Sequence, residues 1–527
     1  MECALALLCA CGNRSFLDEG GYARKDVDAS ELAEAGPEVT TVKGYSPKDF
    51  FVDSCGGCHG SFRQGGLGPA LTPARLDKPK SVYADTIRNG RSKTLMPKWG
   101  DKLSRAEIDL LVELIFTEPP PLSAARWGER EINNNKHVSV EDAKLVPGPL
   151  HSGNMDNLML VTEREARAFA VIDGDTHTVL GHVSASFRAH GYAFHPHEKR
   201  WVYNLGRDGW LYKVDLYSLK TARSIRLGFD SRGVAISDDG KHVIVGNYLP
   251  NSAVIVNADT LELEKLIETS GTNPDGQFVE SRVAIVSDVA PQKVGPYFII
   301  ALKDAGQLWR IDYSKPDFPI TKLENVGRIL HDGFLSPDNT KFYIASQNDN
   351  WMAVIDVASW TLVDTLTTGK IPHPGSGATW KHRDREYAAT VHAGEGLVSI
   401  WDLPTGQVVG SVTTAGPGFF LRSHHESPYI WADAVGGDPP NEITVFDGRS
   451  PSFDVVARIR DGKKTLHPEF TADGAFVYVS DWDAGVVRVY DARLAENGTF
   501  PLVATIGGLE TPTGIFSVAR RHEMLGH

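Results

Sequence analysis

The strongest constraint on the fold is a unit of about 45 residues that recurs eight times along this 527-residue chain. Each unit is a run of alternating apolar residues that closes on an acidic or amide side chain and is followed by a turn. Four-stranded propeller blades repeat with this period, whereas an array of β-sandwiches has no reason to keep it so regularly. We therefore predict an eight-bladed β-propeller. The units end at Asp173, Asp215, Asn257, Asp312, Asp356, Asp402, Asp447 and Asp491.

The spacing of these units predicts one insertion in the propeller. The successive steps are 42, 42, 55, 44, 46, 45 and 44 residues. The long step predicts extra chain around residues 272–280. The closing Asp of each unit suits the start of a tight turn, because its carboxylate accepts hydrogen bonds from backbone N–H groups.

A smaller helical domain precedes the repeats. Pro47 follows Ser46 as expected at a helix start, and Ser104 with Glu107 forms a capping box ahead of apolar residues at helical spacing. The Pro-rich stretch at 119–121 ends that helix and begins an extended segment. We therefore divide the chain into an N-terminal arm (1–43), a helical domain (44–120), a linker (121–150) and the propeller (151–527).

The cysteines lie at the start of the chain. Five are present, and none follows Cys58, so no disulfide framework holds the propeller. The run from Cys3 to Ala10 is apolar and ends in small residues, as the later part of an export signal does. The sequence Leu8-Cys9-Ala10-Cys11 resembles a bacterial lipobox, which makes Cys11 a candidate lipid anchor. We expect a periplasmic protein.

Cys55-Gly-Gly-Cys58-His59 has the C-x-x-C-H spacing of covalent haem c attachment. Both thiols can reach the porphyrin vinyl groups, and the adjacent imidazole can reach the iron. A redox-active cysteine pair is the alternative, which the directly following histidine disfavours. Met96 is the predicted sixth ligand because a thioether raises the iron potential toward that of an electron-transfer haem. His137 is the competing ligand.

The fold class predicted from these features is an all-α cytochrome c domain followed by an all-β eight-bladed β-propeller. The net charge is −13 at neutral pH. Nucleic acids are therefore not expected as partners, because phosphate contacts require a basic face.

This architecture and several short motifs resemble cytochrome cd1 nitrite reductase and its relatives. The resemblance extends from Tyr45 to Phe516 and implies a second, non-covalent tetrapyrrole, haem d1, on the propeller axis. Its motifs are Cys55-Gly-Gly-Cys-His-Gly60, Leu71-Thr-Pro73, Met96-Pro-Lys-Trp-Gly100, Gly206-Arg-Asp-Gly209, Arg282-Val-Ala284, His331-Asp-Gly333, His373-Pro-Gly375 and Thr511-Pro-Thr-Gly514.

The resemblance also implies roles for individual residues. His190 falls near the proximal ligand of the haem d1 iron, with His195 and His197 as alternatives. His331 and His373 fall on the histidines that flank the substrate and are the predicted catalytic residues. The predicted partners of the haem d1 carboxylates are Arg232 and Arg282.

His467 departs from the reductase pattern, which has glutamine there. A histidine near this position is a feature of the related dihydro-haem d1 dehydrogenase, which forms the acrylate side chain of haem d1. We count His467 among the cofactor-binding residues.

The resemblance favours a nitrite reductase that forms nitric oxide from nitrite at haem d1, with electrons entering through haem c. The expected donor is a small soluble c-type cytochrome or cupredoxin, and the reductase would be a homodimer. The alternatives are the dihydro-haem d1 dehydrogenase and a non-catalytic haem-carrying electron-transfer protein. Fold alone does not decide among these functions.

Overall fold

The computed structural model describes residues 39–522, except 61, 66–67, 92–95, 120–126, 165, 186–187 and 290–293. The N-terminal part of this region is helical. Ser46 caps the first helix by accepting a hydrogen bond from the backbone N–H of Asp49 at 3.1 Å. The helices are α1 (Pro47–Ser54), α2 (Gly56–His59), α3 (Lys80–Asn89) and α4 (Arg105–Ile115).

The predicted capping box is present at the start of α4. The Ser104 hydroxyl accepts from the backbone N–H of Glu107, and the Glu107 carboxylate accepts from the backbone N–H of Ser104 at 2.8 Å. One face of α4 is buried against Phe50 and Phe51 of α1, as the helical spacing of its apolar residues predicts. The buried residues of α4 are Ile108, Leu111, Val112 and Ile115.

The segment predicted as a linker contains regular structure where it is described. It forms α5 (Glu129–Asn134) and β1 (Lys136–Val138). The Trp127 indole donates to the carbonyl of Arg226 at 3.0 Å, and the Ile132 side chain is buried in the propeller. This part of the chain is therefore packed against the propeller.

The rest of the described chain forms mainly β-strands. In chain order they are β2 (Leu158–Glu163), β3 (Ala168–Asp173), β4 (Thr178–Ser184), β5 (Ala189–Phe194), β6 (Trp201–Gly206), β7 (Trp210–Asp215), β8 (Lys220–Arg226), β9 (Asp230–Ile236), β10 (His242–Leu249), β11 (Ser252–Asn257), β12 (Leu263–Glu268), β13 (Ser270–Thr272), β14 (Phe278–Glu280), β15 (Val283–Val289), β16 (Tyr297–Leu302), β17 (Gln307–Asp312), β18 (Ile320–Leu323), β19 (Leu330–Leu335), β20 (Lys341–Ser346), β21 (Trp351–Asp356), β22 (Thr361–Thr367), β23 (Pro372–His382), β24 (Arg385–His392), β25 (Leu397–Asp402), β26 (Val408–Thr413), β27 (Leu421–His424), β28 (Ser427–Asp433), β29 (Ile443–Asp447), β30 (Val455–Ile459), β31 (Thr465–Phe470), β32 (Phe476–Asp481), β33 (Val486–Asp491), β34 (Leu502–Ile506) and β35 (Pro512–Ser517).

These strands form an eight-bladed propeller in the described part of the chain. Blade one has the order β35-β2-β3-β4, so the last strand of the chain closes the ring against the first. Blades two to eight are β5–β8, β9–β12, β15–β18, β19–β22, β23–β26, β27–β30 and β31–β34, each antiparallel and in chain order. Strand β1 adds to the outer edge of blade two. The hairpin β13–β14 fills the long repeat step, which confirms the predicted insertion.

The repeat predicted from sequence corresponds to the third strand of each blade. Its closing residue holds the following turn. Both carboxylate oxygens of Asp215 accept hydrogen bonds there, from the backbone N–H of Tyr217 at 3.0 Å and from the Ser218 hydroxyl at 2.7 Å. Apolar side chains of neighbouring blades share the core between them. For example, Trp401 of blade six packs on Tyr343 of blade five, with ring centres 5.6 Å apart.

The helical domain contacts the same end of the propeller at which the inner strands begin. Lys102 lies 3.7 Å from Asp483, in the turn between β32 and β33. Among the described helices, none has both the length and the hydropathy needed to cross a membrane. Cys11 lies outside the described residues.

Candidate functional site

The residues predicted to bind the second tetrapyrrole meet at one rim of the propeller. The innermost strand of every blade starts at this rim, because the same strand order repeats around the axis. Each predicted residue lies within the first three positions of an inner strand or directly before one. They are His190 in β5, Arg232 in β9, Arg282 before β15, His331 in β19, His373 in β23 and His467 in β31.

An acidic residue near the end of the second strand holds the loop that leads into the inner strand of several blades. Asp304 accepts from the backbone N–H of Arg282 at 3.0 Å, and Asp433 accepts from that of Phe419 at 2.7 Å. The same device fixes three other loops, through Glu163 with Glu510, Glu395 with Lys370, and Asp481 with Lys463. The side chains at the rim are therefore positioned by hydrogen bonds from backbone N–H groups to these carboxylates.

His331 and His373 form a buried pair joined by Asp332. Their ring centres lie 4.8 Å apart. Nδ1 of His331 lies 2.7 Å from one oxygen of Asp332, and Nδ1 of His373 lies 3.2 Å from the other. All three side chains are almost fully buried. Asp332 thus lies against Nδ1 of both rings, and its backbone N–H also donates to Nδ1 of His331 at 2.9 Å.

The protonation states of this pair follow from its surroundings. Nδ1 of His373 faces a second oxygen, the carbonyl of Phe419 at 3.1 Å. Because both neighbours are acceptors, Nδ1 carries the proton and Nε2 of neutral His373 is a proton acceptor. Burial lowers the pKa of His331 well below its usual value, and Lys303 and Arg232 lower it further against the opposing effect of Asp332.

Three arginines surround the ring of Tyr248 beside this pair. The guanidinium carbons of Arg207, Arg232 and Arg282 lie 5.1, 5.7 and 5.2 Å from the ring centre. Such contacts are typical of cation–π interactions. Three neighbouring blades therefore bring three guanidinium groups together at the rim.

Among the described residues, two of these arginines are paired with acids and the third has no such pair. Arg207 lies 2.8 Å from Asp230, and Arg282 makes a bidentate pair with Asp304 at 2.9 and 2.6 Å. Arg232 is only 7% exposed, and its buried Nε has no hydrogen-bond partner among the described residues. Arg232 therefore has a buried guanidinium donor that an anionic ligand could accept from.

His190 has the geometry of an imidazole ligand. Its Nδ1 lies 3.1 Å from the carbonyl of Arg232, so Nδ1 carries the proton and Nε2 has the lone pair for a metal. The alternatives His195 and His197 lie beyond the far end of β5, where Nδ1 of His195 accepts from the backbone N–H groups of His197 and Glu198. The structure thus separates His190 from both of them.

His467 has the opposite tautomer. Its Nδ1 accepts a hydrogen bond from the backbone N–H of Ile515, so neutral His467 carries its proton on Nε2. Its ring centre lies 4.1 Å from that of Phe420 and 5.2 Å from that of Phe516. The backbone N–H of His467 donates to Asp433 at 3.0 Å. His467 is therefore a fixed donor in an aromatic surrounding.

The haem c motif lies on α2 and the turn before it. Nδ1 of His59 lies 2.7 Å from the carbonyl of Pro69, which leaves Nε2 for iron. A Cβ at Gly68 would lie 2.7 Å from Cε1 of His59, so this glycine packs directly on the ring. Cys55 is partly buried in the turn before α2, and the Cys58 side chain lies outside the described residues. This arrangement fits a haem held against His59.

The two candidate sixth ligands are in different domains. The carbonyl of Met96 accepts from the backbone N–H of Arg91 at 3.1 Å, within the helical domain, beside the undescribed residues 92–95. His137 belongs to β1 and stacks on Trp210 of blade two, with ring centres 5.5 Å apart. Met96 stays the predicted ligand.

Several residues at the rim were not identified from the sequence. Asp332 was noted only as part of a short motif, while Lys303 and Asp433 were not noted at all. The feature they share is that each lies at the rim end of a strand. This position can be recognised only once the strands have been placed in the structure.

The described chain also brings His331, Asp332 and His373 close enough to bind a metal ion. The nearby charge of Arg232 favours an anion instead.

The fold and the rim define an oxidoreductase with a cytochrome c domain and a tetrapyrrole-binding propeller. The model of the cytochrome D1 heme domain family matches residues 153–521, and that of the cbb3-type cytochrome C oxidase subunit III matches residues 45–115. The chain belongs to the cytochrome d1 haem domain family. Its two domains are thus those of haem c and haem d1 proteins.

Two curated relatives and one solved structure resemble nearly the whole chain. Dihydro-heme d1 dehydrogenase of Pseudomonas aeruginosa is 34% identical over 446 residues, which cover 84% of this chain and 88% of that protein. Nitrite reductase of Stutzerimonas stutzeri is 28% identical over 543 residues, covering 92% and 94%. The structure of dihydro-heme d1 dehydrogenase NirN in complex with DHE has a TM-score of 0.71 and 32% identity, covering 90% and 100%.

The rim fits a polyanionic tetrapyrrole. Arg232 has a buried donor without a partner among the described residues, and carboxylates are the ligands that a guanidinium binds in a bidentate manner. Nε2 of His190, on the same rim, has the lone pair that an iron requires. These two residues would hold such a group by charge and by ligation.

Proposed function

We propose that the protein is a dihydro-haem d1 dehydrogenase. Its substrate would bind at the rim, with His190 toward the iron and Arg232 and Arg282 toward the carboxylates. The reaction removes two electrons and two protons from a –CH2–CH2–COO⁻ side chain and leaves –CH=CH–COO⁻. The haem c held by Cys55 and Cys58, with His59 and Met96 as predicted ligands, would accept the electrons one at a time.

The unprotonated Nε2 of neutral His373 is the observation that carries this proposal. Formation of an acrylate releases two protons, and a general base must be neutral to accept one. Nε2 of His373 is unprotonated in the neutral ring, and the pKa of His331 is lowered well below 6.5, first by burial. Nitrite reduction needs proton donors at these positions, so the lowered pKa favours the dehydrogenase.

His467 would have a role of its own at the same site, as a hydrogen-bond donor to the substrate. Its Nε2 carries a proton while that of His373 does not, and both rings contact Phe420, with centres 4.1 and 6.4 Å away. A fixed donor opposite a base suits a propionate side chain, since the donor can hold the carboxylate while the base takes a proton from carbon. The 34% identity with the dehydrogenase also supports this assignment.

The experiment supplies purified holoprotein with dihydro-haem d1 and an oxidised c-type cytochrome. Acrylate formation is followed as the loss of two hydrogens by mass spectrometry. We expect turnover that His373→Ala lowers at least about 100-fold, as loss of a general base does. His195→Gln is the matched control, because His195 is a buried histidine at the opposite end of β5. Nitrite turnover without acrylate formation would refute the assignment.

A nitrite reductase is the second candidate. The close pairing of His331 and His373 favours it, because two imidazoles 4.8 Å apart can hold a small anion between them. The 28% identity with a nitrite reductase over 92% of the chain is consistent with it. The same preparation, reduced and given nitrite, tests this function through nitric oxide release.

A carrier without activity would show neither reaction but would retain a His190-ligated tetrapyrrole.

Location and assembly are also proposals. We expect a periplasmic protein that is anchored through Cys11, exchanges electrons with a small c-type cytochrome or cupredoxin, and does not bind nucleic acid. For the dehydrogenase that partner is an acceptor, whereas for the reductase it is a donor and the protein is a dimer. Cell fractionation of wild type and Cys11→Ser tests the anchor, and light scattering tests the dimer.

A further inference from the structure

A buried lysine lies directly behind the histidine pair. Lys303 follows the second strand of blade four and is only 4% exposed. Its Nζ donates to the carbonyl of Leu330 at 3.3 Å and to Oε1 of Gln347 at 3.5 Å. Leu330 is the residue immediately before His331. The ammonium group therefore contacts the backbone that carries one catalytic histidine.

Gln347 extends this contact to the second histidine. It follows the second strand of blade five and is as buried as Lys303. Its Nε2 donates to the carbonyl of Pro372 at 3.4 Å, and Pro372 immediately precedes His373. A chain of hydrogen bonds thus runs from one histidine backbone through Lys303 and Gln347 to the other.

The backbone of Lys303 joins the same blades. Its N–H donates to the carbonyl of Arg282 at 2.7 Å, and its carbonyl accepts from the N–H of Leu330 at 3.1 Å. Lys303 therefore connects Arg282 of blade four to the His331 strand of blade five, while Gln347 reaches the His373 strand of blade six. Asp332 joins the two rings on their Nδ1 side, and this second connection joins their backbones.

Burial of Lys303 is costly for stability. Burial lowers its pKa well below the usual value, and Arg282 and Arg232 add to that effect, against Asp304 and Asp332. An apolar side chain of the same length would avoid this cost. A buried, strongly perturbed lysine at the rim is therefore better explained by function than by packing.

We propose that Lys303 and Gln347 form a positioning pair that sets the spacing and orientation of His331 and His373 toward the substrate. The pair does not touch the reacting atoms and acts through the two histidine backbones. This inference rests on the proposed function for its kinetic consequences, but the geometry it predicts is a property of the protein alone.

The kinetic test uses Lys303→Met and Gln347→Leu, which remove the hydrogen bonds and keep the side-chain length. We expect kcat for acrylate formation to fall about 100-fold with KM changed less than about 3-fold, because misplacing a catalytic group by about 1 Å has an effect of this size. Lys213→Met is the matched control. Lys213 of blade two is equally buried but binds Asp259 of blade three, away from the rim, so its loss should leave kcat unchanged.

A double substitution distinguishes positioning from a general structural role. If Lys303 acts through the two histidines, then Lys303→Met should lower kcat less in the His331→Ala background than in wild type. Gln347→Glu removes only one of the two hydrogen bonds of Gln347. The carboxylate can still accept from Lys303, but it has no N–H group to donate to the carbonyl of Pro372. It should therefore perturb His373 more than His331. Additive losses in the double variant would overturn the proposal.

An independent readout separates this inference from the proposed function. Imidazole ¹⁵N spectra of ¹⁵N-histidine-labelled protein, prepared without haem d1, report the tautomer and hydrogen bonding of His331 and His373. We expect these signals to shift in Lys303→Met and not in Lys213→Met. If the signals shift in Lys303→Met but wild type forms no acrylate, the positioning pair is supported and the dehydrogenase assignment is refuted. Unshifted signals in folded Lys303→Met would overturn the pair. If that variant does not fold, Gln347→Leu decides by the same measurements.

Discussion

Replacing Arg232 with methionine should change stability and ligand binding in opposite directions. Arg232 is buried, and its Nε has no hydrogen-bond partner among the described residues. A buried donor without a partner costs about 1–3 kcal/mol, and an apolar side chain of similar length removes that cost. We therefore expect the unfolding free energy of the haem d1-free protein to rise by about 1–2 kcal/mol in Arg232→Met.

The same substitution should weaken binding of the tetrapyrrole. A hydrogen bond to a charged group contributes about 1.5–3 kcal/mol, which corresponds to roughly a 10- to 100-fold rise in Kd. Kd is measured by titrating haem d1 into the haem c-containing protein and following the absorbance of the added chromophore. Stability is measured by calorimetry on the haem d1-free protein, in which Tm should rise by about 1–3 °C for a domain of this size.

Arg282 is the matched control for this experiment. It lies at the same rim and contacts the same Tyr248 ring, but Asp304 pairs with it in a bidentate manner. Arg282→Met leaves that carboxylate without its partner, which should cost about 3 kcal/mol of stability. A destabilised Arg232→Met that binds haem d1 as tightly as wild type would refute the assignment of Arg232 as a carboxylate ligand.

Three further predictions concern other parts of the site. Burial raises the pKa of Asp433 to about 6, although three backbone hydrogen bonds to its carboxylate act in the opposite direction. Between about pH 4 and 6, the folded protein therefore keeps a proton on Asp433 that the unfolded chain has released. The stability of wild type relative to Asp433→Asn should therefore fall by about 2 kcal/mol between about pH 4.5 and 7.5, measured by denaturation at each pH; a constant difference would contradict this. Met96→Leu should lower the haem c potential in a redox titration, since the thioether raises it; an unchanged potential would remove Met96 as the ligand. Gly68→Ala should disturb the ligation of iron by His59 in the haem c spectrum, because the added Cβ overlaps the ring, whereas Gly148→Ala, where a Cβ meets nothing within 4 Å, should not.

The period of the sequence repeat predicts most of the fold. Alternating apolar residues that end in Asp predict one strand and one turn per blade, because both features are local. Closure of the ring by β35 against β2 was not predicted, because it pairs strands from the two ends of the propeller sequence. The packing of α5 and β1 on the propeller was not predicted, because it depends on contacts such as that of Trp127 with Arg226, which are far apart in sequence.

The site was predicted less completely than the fold. Histidines and arginines stand out in a sequence because their chemistry is distinctive, and the structure brings those named from the resemblance to one rim. Lys303 and Gln347 were missed because neither belongs to a motif. Their importance comes from the carbonyls of Leu330 and Pro372 that they contact, and backbone carbonyls carry no signature in a sequence.

The tautomers of the histidines show how the backbone assigns chemical roles in this protein. Nδ1 of His59 faces the carbonyl of Pro69, and Nδ1 of His190 faces that of Arg232, so both rings have Nε2 for a metal. His373 is held in the same tautomer, which makes its Nε2 a base. Nδ1 of His467 instead receives a backbone N–H, which makes its Nε2 a donor. Identical side chains thus become ligands, a base and a donor because the backbone offers a carbonyl to three of them and an N–H group to the fourth.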